Sequence, residues 1–325
     1  MDDLIKSGMI GLMIGDALGV PVEFMDREQI AGRPGGKVTD MEGDGTFHMP
    51  PGTWSDDSSM ALATLASIRE KNEIDLDDIM NKFVSWVDDG QFTPFGLAFD
   101  IGRTCNEAIA SYALTKDINN CGVTGEYANG NGALMRILPV CIYWYELQQK
   151  RQEDITCDAI ESIEKVASLT HNHKRSCIAC GIYYFLIKEI ADNKRETRNA
   201  NLSLAHLIQQ GIDTAFRYYG KDKSYHDELE CYDELLDIDV LSEYQEDEIS
   251  GSGYVVDSLM ASVWCLITTN SYRECVLAAV NLGEDTDTTA AIAGGLAGLY
   301  YGTDNIPAEW RNMLQGKEIL DSIIH

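Results

Sequence analysis

The sequence predicts an all-α fold, a single-domain orthogonal helix bundle over residues 1–325. Three observations predict it. Apolar residues recur at helical spacing through most of the chain, alternating strand patterns are scarce, and neither a repeat nor a composition break divides the chain in two. Hydrophobic residues make up 45% and charged residues 24%, which excludes a disordered chain and supplies a core.

The first helix runs over 2–19. It places Ile5, Met9, Leu12 and Met13 on one side and carries a stripe of Gly8, Gly11, Gly15 and Gly19. Interior glycines weaken a helix, so a stripe of them implies close approach of another helix or a ligand. Pro21 ends the helix and leaves Glu23 on a loop. Residues 39–49 read as a turn-rich strand remnant. Further helices are expected at 57–72, 76–89, 105–114, 153–169, 174–193, 202–219, 254–269, 271–282, 288–301 and 307–323. Residues 227–248 hold 11 acids and no Lys or Arg, and read as a solvated surface insert over about 222–249. They lack the spacing of a calcium loop.

Lys and Arg total 25 against 53 Asp and Glu, a net charge of −28. Such a surface repels phosphate backbones and anionic lipid, which disfavours a nucleic-acid or membrane partner. The N-terminal stretch begins acidic and is broken by Lys6 and Asp16, so no leader or membrane span is expected. Nine cysteines at irregular spacing fit reduced thiols and a cytoplasmic location. Cys177 and Cys180, a lone C-x-x-C in an apolar helical run, read as two buried thiols.

Three stretches with unusual Gly and Asp usage at helix starts, 11–24, 52–60 and 283–298, are where the chemistry is expected, and two of them carry paired acids. Gly52-Thr53-Trp54-Ser55-Asp56-Asp57-Ser58 stands before one apolar helix, and Gly283-Glu284-Asp285-Thr286-Asp287-Thr288 before another. Ser55 has the chemistry of an N-cap, and acids in a first turn are stabilised by the helix dipole, so either segment alone is explained as a cap. Two such segments, each with a hydroxyl beside paired carboxylates, suggest halves of one oxygen-rich metal site. Mg²⁺ and Mn²⁺ prefer such ligands, whereas zinc prefers His and Cys. If Glu23, Asp56, Asp57, Asp285 and Asp287 converge, mutual repulsion raises their pKa values, and two dications would relieve it.

These segments resemble the ADP-ribosylglycohydrolase family, which includes the dinitrogenase reductase-activating glycohydrolases. The resemblance rests on residues 11–24, 52–63, 99–109, 129–140 with 169–173, and 251–259 followed by 283–298, in that order along the chain. It implies an all-α fold with a binuclear metal cleft holding two Mg²⁺ or Mn²⁺ ions. By motif match, Ser55, Asp56, Asp57, Asp285, Asp287 and Thr288 are implied as metal ligands, and Glu23, Asp57 and Asp285 as catalytic. Ser55 and Ser58 stand where many members have Thr, and both keep the hydroxyl. Asp100 is implied near the distal ribose, though a helix cap also explains it. Asn129, Gly130, Asn131 and Gly132 are implied as a loop around the pyrophosphate, although Asn-Gly pairs are also plain turn signals. Many members carry Ser or Tyr where this chain has Ala128 and Asn129. His171 is implied near the phosphates, although a lone His after a helix is more often a satisfied cap. Arg136 and Arg175 could assist the anion, though exposed arginines usually do nothing specific.

The implied activity is hydrolysis of the glycosidic bond between ADP-ribose and a protein side chain, foremost arginine, releasing ADP-ribose. The implied partner is an ADP-ribosylated protein or other ADP-ribose conjugate. A relative that binds ADP-ribose without turnover is one alternative, and a hydrolase of serine-linked or small conjugates another. A phosphatase reading of Asp285-Thr286-Asp287-Thr288 requires the motif to end an apolar strand, with the first Asp as nucleophile.

Overall fold

The computed structural model describes residues 2–195 and 202–324; the other positions of the expected single domain lie outside the described residues. In chain order the helices are α1 (Asp2–Gly19), α2 (Arg27–Gly32), α3 (Asp56–Lys71), α4 (Leu76–Asp89), α5 (Arg103–Thr115), α6 (Leu138–Arg151), α7 (Thr156–Ser168) and α8 (Lys174–Arg195). They continue with α9 (Leu204–Tyr219), α10 (His226–Leu229), α11 (Ile238–Ser242), α12 (Val255–Thr268), α13 (Tyr272–Val280), α14 (Thr286–Tyr301), α15 (Ala308–Met313) and α16 (Lys317–Ile324). Among the described residues, β pairing is limited to isolated bridges, so the all-α expectation holds.

The glycine stripe of α1 explains how the site is assembled. Gly8 lies against Leu299, Gly11 against Gly294, Gly15 against Ala290 and Gly19 against Asp287, so α1 and α14 run antiparallel. A β-carbon at Gly15 would stand 2.0 Å from the Ala290 carbonyl oxygen, and one at Gly19 2.3 Å from the Asp287 Cα. Only glycine allows this approach. The packing sets the C-terminal end of α1 beside the start of α14. Asp3–Val22 is long and apolar enough to cross a membrane, but 89% of that stretch is buried inside the fold, where the helix spends its apolar surface on its neighbours.

Several expectations need correction. Helix α6 was not foreseen. Pro139 occupies its first turn, where its missing N–H costs nothing, and Cys141, Ile142 and Tyr145 enter the core. The helix expected over 307–323 is two, parted at Gly316, whose φ is +57°. The strand remnant at 39–49 is a 3₁₀ turn, Gly45–Phe47, closed by a lone Asp44–Met49 bridge. The acidic segment is not merely a solvated surface. Leu229, Tyr232, Leu235, Ile238 and Leu241 are buried beneath its carboxylates. Cys177 and Cys180 are buried free thiols, as expected.

Candidate active site

The starts of α3 and α14 meet. The Thr288 hydroxyl donates to Asp57 Oδ2 at 3.3 Å, and the Ser55 hydroxyl donates to the same oxygen at 3.1 Å. The two acid segments therefore face each other, as the sequence suggested.

The caps, however, come from elsewhere. Ser55 occupies the N-cap position of α3, but its side chain makes no capping bond. Instead the Ser55 and Ser58 amides donate to Asp16, at 2.8 and 3.0 Å, and the Ser58 hydroxyl donates to it as well. At α14, Glu23 Oε2 accepts from the Thr286 amide at 2.8 Å, the Thr286 hydroxyl at 3.0 Å and the Asp287 amide at 3.3 Å. Glu23 is thus buried at 3% exposure rather than lying on an open loop. Two acids from the end of α1 and the segment after it take over most of the capping that the local carboxylates would otherwise perform, and Asp287 keeps a share, its Oδ1 accepting from the Thr288 amide at 2.8 Å. Asp57 Oδ1 and Asp287 Oδ2 are consequently buried with no hydrogen-bond donor among the described residues. Asp16 was not identified as a site residue. Its signal was present: it is the sole charged residue between Lys6 and Glu23, set within the glycine stripe.

Carboxylate oxygens of Asp16, Asp57 and Asp287 lie within 4.8 Å of one another, as do those of Glu23, Asp285 and Asp287. Burial, then the charge of Asp287, pushes Asp16 and Asp285 up to about 7 and Asp100 to about 9. The same causes hold Glu23 and Asp57 well above the carboxylate range, while Asp56 is raised by burial and then by Asp100. Crowded hard oxygens, mutual repulsion and two orphaned buried oxygens fit a divalent cation. The clusters consist of carboxylates, which also fits.

Above the clusters lies a cavity of about 290 Å³. Glu23, Asp56, Asp100, Asp285, Asp287 and Thr288 line it together with Gly130, Asn131, Gly132 and His171. Ser55 and Asp57 lie buried beneath this floor. Asn129 is not part of the lining; its carbonyl accepts from the Val255 amide. The Asn131 side chain is committed to Asp285 Oδ2 at 2.8 Å and Ser258 Oγ at 2.9 Å, so it orients a candidate ligand. Asp100 is no helix cap: α5 begins at Arg103 with Gly102 at the N-cap position. Burial, then the Arg136 charge, lowers the His171 pKa to about 3, so its ring is neutral. Arg136 is itself fully buried behind His171, and Arg175 bonds Glu228 and Tyr254; neither is an idle surface arginine.

An aromatic row stands at the mouth. Phe24 meets Phe47 with ring centroids 6.1 Å apart, and Phe47 meets Phe99 at 5.1 Å. Phe24 remains 66% exposed. Phe24 and Asp100 hold φ of +67° and +60°, unusual backbone for side-chain-bearing residues and of the kind that concentrates at functional sites. A second cavity, about 300 Å³ between α1, α3 and α6, has mainly apolar walls and gathers no carboxylates.

The phosphatase reading does not survive. Asp285 precedes a helix, and no strand exists among the described residues to carry the motif. Comparison with known proteins points elsewhere. The chain matches the ADP-ribosylglycohydrolase family over residues 1–325. It is 29% identical over 321 residues to the ADP-ribosylarginine hydrolase Tri1 of Serratia proteamaculans, covering 99% of this chain and 78% of that one. It is 29% identical over 318 residues to the ADP-ribosyl-[dinitrogen reductase] glycohydrolase of Rhodospirillum rubrum, covering 97% and 91%. A solved structure described as an ADP-ribosylglycohydrolase-related protein complex superposes with a TM-score of 0.74 at 26% identity, covering 99% of this chain and 96% of that one.

Proposed function

The chain belongs to the ADP-ribosylglycohydrolase family, and on that premise we propose that it hydrolyses the bond between ADP-ribose and a protein arginine, releasing ADP-ribose. The observation that carries the proposal is the junction of the two helix starts at Asp57 and Thr288, with Asp57 Oδ1 and Asp287 Oδ2 left without a donor among the described residues.

Ser55, Asp56, Asp57, Asp285, Asp287 and Thr288 would hold two divalent cations, Mg²⁺ or Mn²⁺. Bound there, the ions would offset the crowded negative charge and fix the ribose hydroxyls. The remaining chemistry falls to the chain itself. Asp100 lines the same cavity, and in this reading it meets the distal ribose. Gly130 and Gly132 present bare backbone along the path of the pyrophosphate, with Asn131 and His171 beside them. The bond from the anomeric carbon to the guanidine nitrogen breaks, and that carbon gains oxocarbenium character. The surrounding carboxylates favour this positive charge. A water oxygen bonds to the carbon, Glu23 takes the water proton, and the departing guanidine takes up that proton, relayed through solvent, to leave as guanidinium. Glu23 commits only Oε2 to α14, which leaves its other oxygen for the water. Asn131 holds Asp285 in place throughout.

Two observations favour arginine as the leaving side chain. The relative from Serratia proteamaculans is named for that linkage. The Phe24–Phe47–Phe99 row also offers aromatic faces beside acids, a setting that attracts a guanidinium. A panel of ADP-ribosylated substrates with defined arginine, serine and small-molecule linkages, assayed with and without chelator, tests the proposal. Release from the arginine linkage, lost with chelator and in the Asp285→Asn/Asp287→Asn variant, is expected. Near-normal release by that variant, with its helical spectrum intact, would contradict it, and tight ADP-ribose binding without turnover would make the chain a binding relative.

A further inference from the structure

Behind the cavity floor the Thr170 hydroxyl stands between two buried side chains. Arg136 Nη2 donates to it at 2.9 Å, and it lies 2.9 Å from His171 Nδ1. A guanidinium only donates, so the hydroxyl accepts there and keeps its own proton to give. We propose that Arg136 and Thr170 are positioning residues that hold His171 as the Nε2–H tautomer, so that it offers a hydrogen-bond donor to substrate beside the glycine loop. The inference rests on the reading that ADP-ribose occupies this cavity.

Four observations carry it. First, a hydroxyl proton directed at Nδ1 makes that nitrogen the acceptor, which leaves the ring proton of a neutral imidazole on Nε2. The Cys105 thiol also faces the Thr170 hydroxyl, but sulfur is a weak acceptor beside an imidazole nitrogen. Second, Nε2 has no hydrogen-bond partner among the described residues, and it lies against the loop. A β-carbon built on Gly130 would stand 3.6 Å from Nε2, and one on Gly132 2.7 Å from Cε1. Glycine at both positions keeps this ring edge open to the cavity. Third, Arg136 is 0% exposed and forms no ion pair with a carboxylate among the described residues. It lies over the Phe83 ring at 4.9 Å and donates to the Val166 carbonyl at 3.2 Å. Burying an arginine without a counter-charge is costly, so its retention calls for a specific task. Its charge opposes protonation of His171, which keeps the ring a neutral donor. Fourth, Asn131 and Arg136 are the two ends of a single 3₁₀ turn. One end orients Asp285 and the other, through Thr170, fixes His171, so one segment aligns two residues of the cavity lining.

The test reads the tautomer directly. Protein labelled with ¹⁵N-histidine is recorded by long-range ¹H–¹⁵N correlation, with His171→Gln identifying the resonances. The wild type is expected to show Nε2–H. Thr170→Val removes the hydroxyl at nearly constant shape and should yield a tautomer mixture, with kcat on ADP-ribosylarginine reduced about tenfold, the size of effect orienting partners exert. Thr170→Ser should restore both. An Nδ1–H tautomer in the wild type, or a valine variant that keeps either the wild-type tautomer or the wild-type rate, would overturn the inference. Because the spectrum needs no substrate, an intact Nε2–H signal in a protein that turns over no ADP-ribose conjugate would sustain the positioning roles while removing the hydrolase reading.

Discussion

The Glu23 carboxylate accepts a hydrogen bond from the Thr286 amide at 2.8 Å, capping a helix that begins 263 positions later. Asp16 does the same for the helix that begins at Asp56. With these amides satisfied from a distance, Asp57 Oδ1 and Asp287 Oδ2 are left without a donor among the described residues, while Asp287 Oδ1 accepts from the Thr288 amide. That arrangement is unstable without compensation.

Stability of the metal-free protein should fall as pH rises. Asp16 and Asp285 are raised to about 7 and Asp100 to about 9, so the folded state holds protons that the unfolded state has already released. A raised carboxyl contributes stability below its unfolded pKa and loses it as pH passes the folded value. Thermal melts in chelator should therefore show Tm declining from about pH 5 to about pH 9. Asp100→Asn should flatten the upper part of the decline. A Tm that rises across this range would contradict the charge assignment.

Gly15→Ala should separate α1 from α14. The added carbon would stand 2.0 Å from a backbone oxygen, which cannot swing aside as a side chain can. Overpacking of this kind costs roughly 1–3 kcal/mol. Gly35→Ala, with nothing within 4 Å of the added carbon, is the control. Urea denaturation should separate the two variants, and equal midpoints would refute the close packing.

Asn131→Leu should weaken metal affinity without unfolding the chain. It removes the donor that holds Asp285 Oδ2 and the bond to Ser258. Orienting partners of this kind typically account for about 10–100-fold in affinity. Calorimetric titration of the variant checks this; wild-type affinity would show that Asp285 needs no such support.

Arg175→Met should loosen the acidic segment. Its guanidinium bonds Glu228 at 2.7 Å and the Tyr254 hydroxyl at 2.8 Å, tying the segment to the start of α12. Charge-assisted bonds contribute about 1.5–3 kcal/mol when buried, and partial exposure brings this nearer 1 kcal/mol. Faster amide hydrogen exchange over 228–241 is the expected readout; unchanged protection would mean that the buried Leu229, Tyr232 and Leu235 suffice.

Much of this was legible in the sequence. The glycine stripe announced a close helix partner, and the paired acids beside hydroxyls announced where the chemistry lies. Other features were hidden for physical reasons. A cap is expected from the residue next to its helix, so Ser55 was credited with a task that Asp16 performs. Pro139 concealed α6 because a proline in a first turn looks the same in sequence as a proline that breaks a helix. The NGNG segment signals a turn but not that the Asn131 side chain reaches Asp285, a contact set by the fold of residues 154 positions apart. Arg136 looked like any arginine because burial is a property of the packed core.

The central claim is that acids from two helix starts bind divalent cations in one cleft. Its most direct test is titration of chelator-stripped protein with Mn²⁺, following free ion by electron paramagnetic resonance. The account predicts two saturable sites in the wild type and their loss in Asp57→Asn/Asp287→Asn. No saturable binding in the wild type, or undiminished binding in that variant, would contradict it.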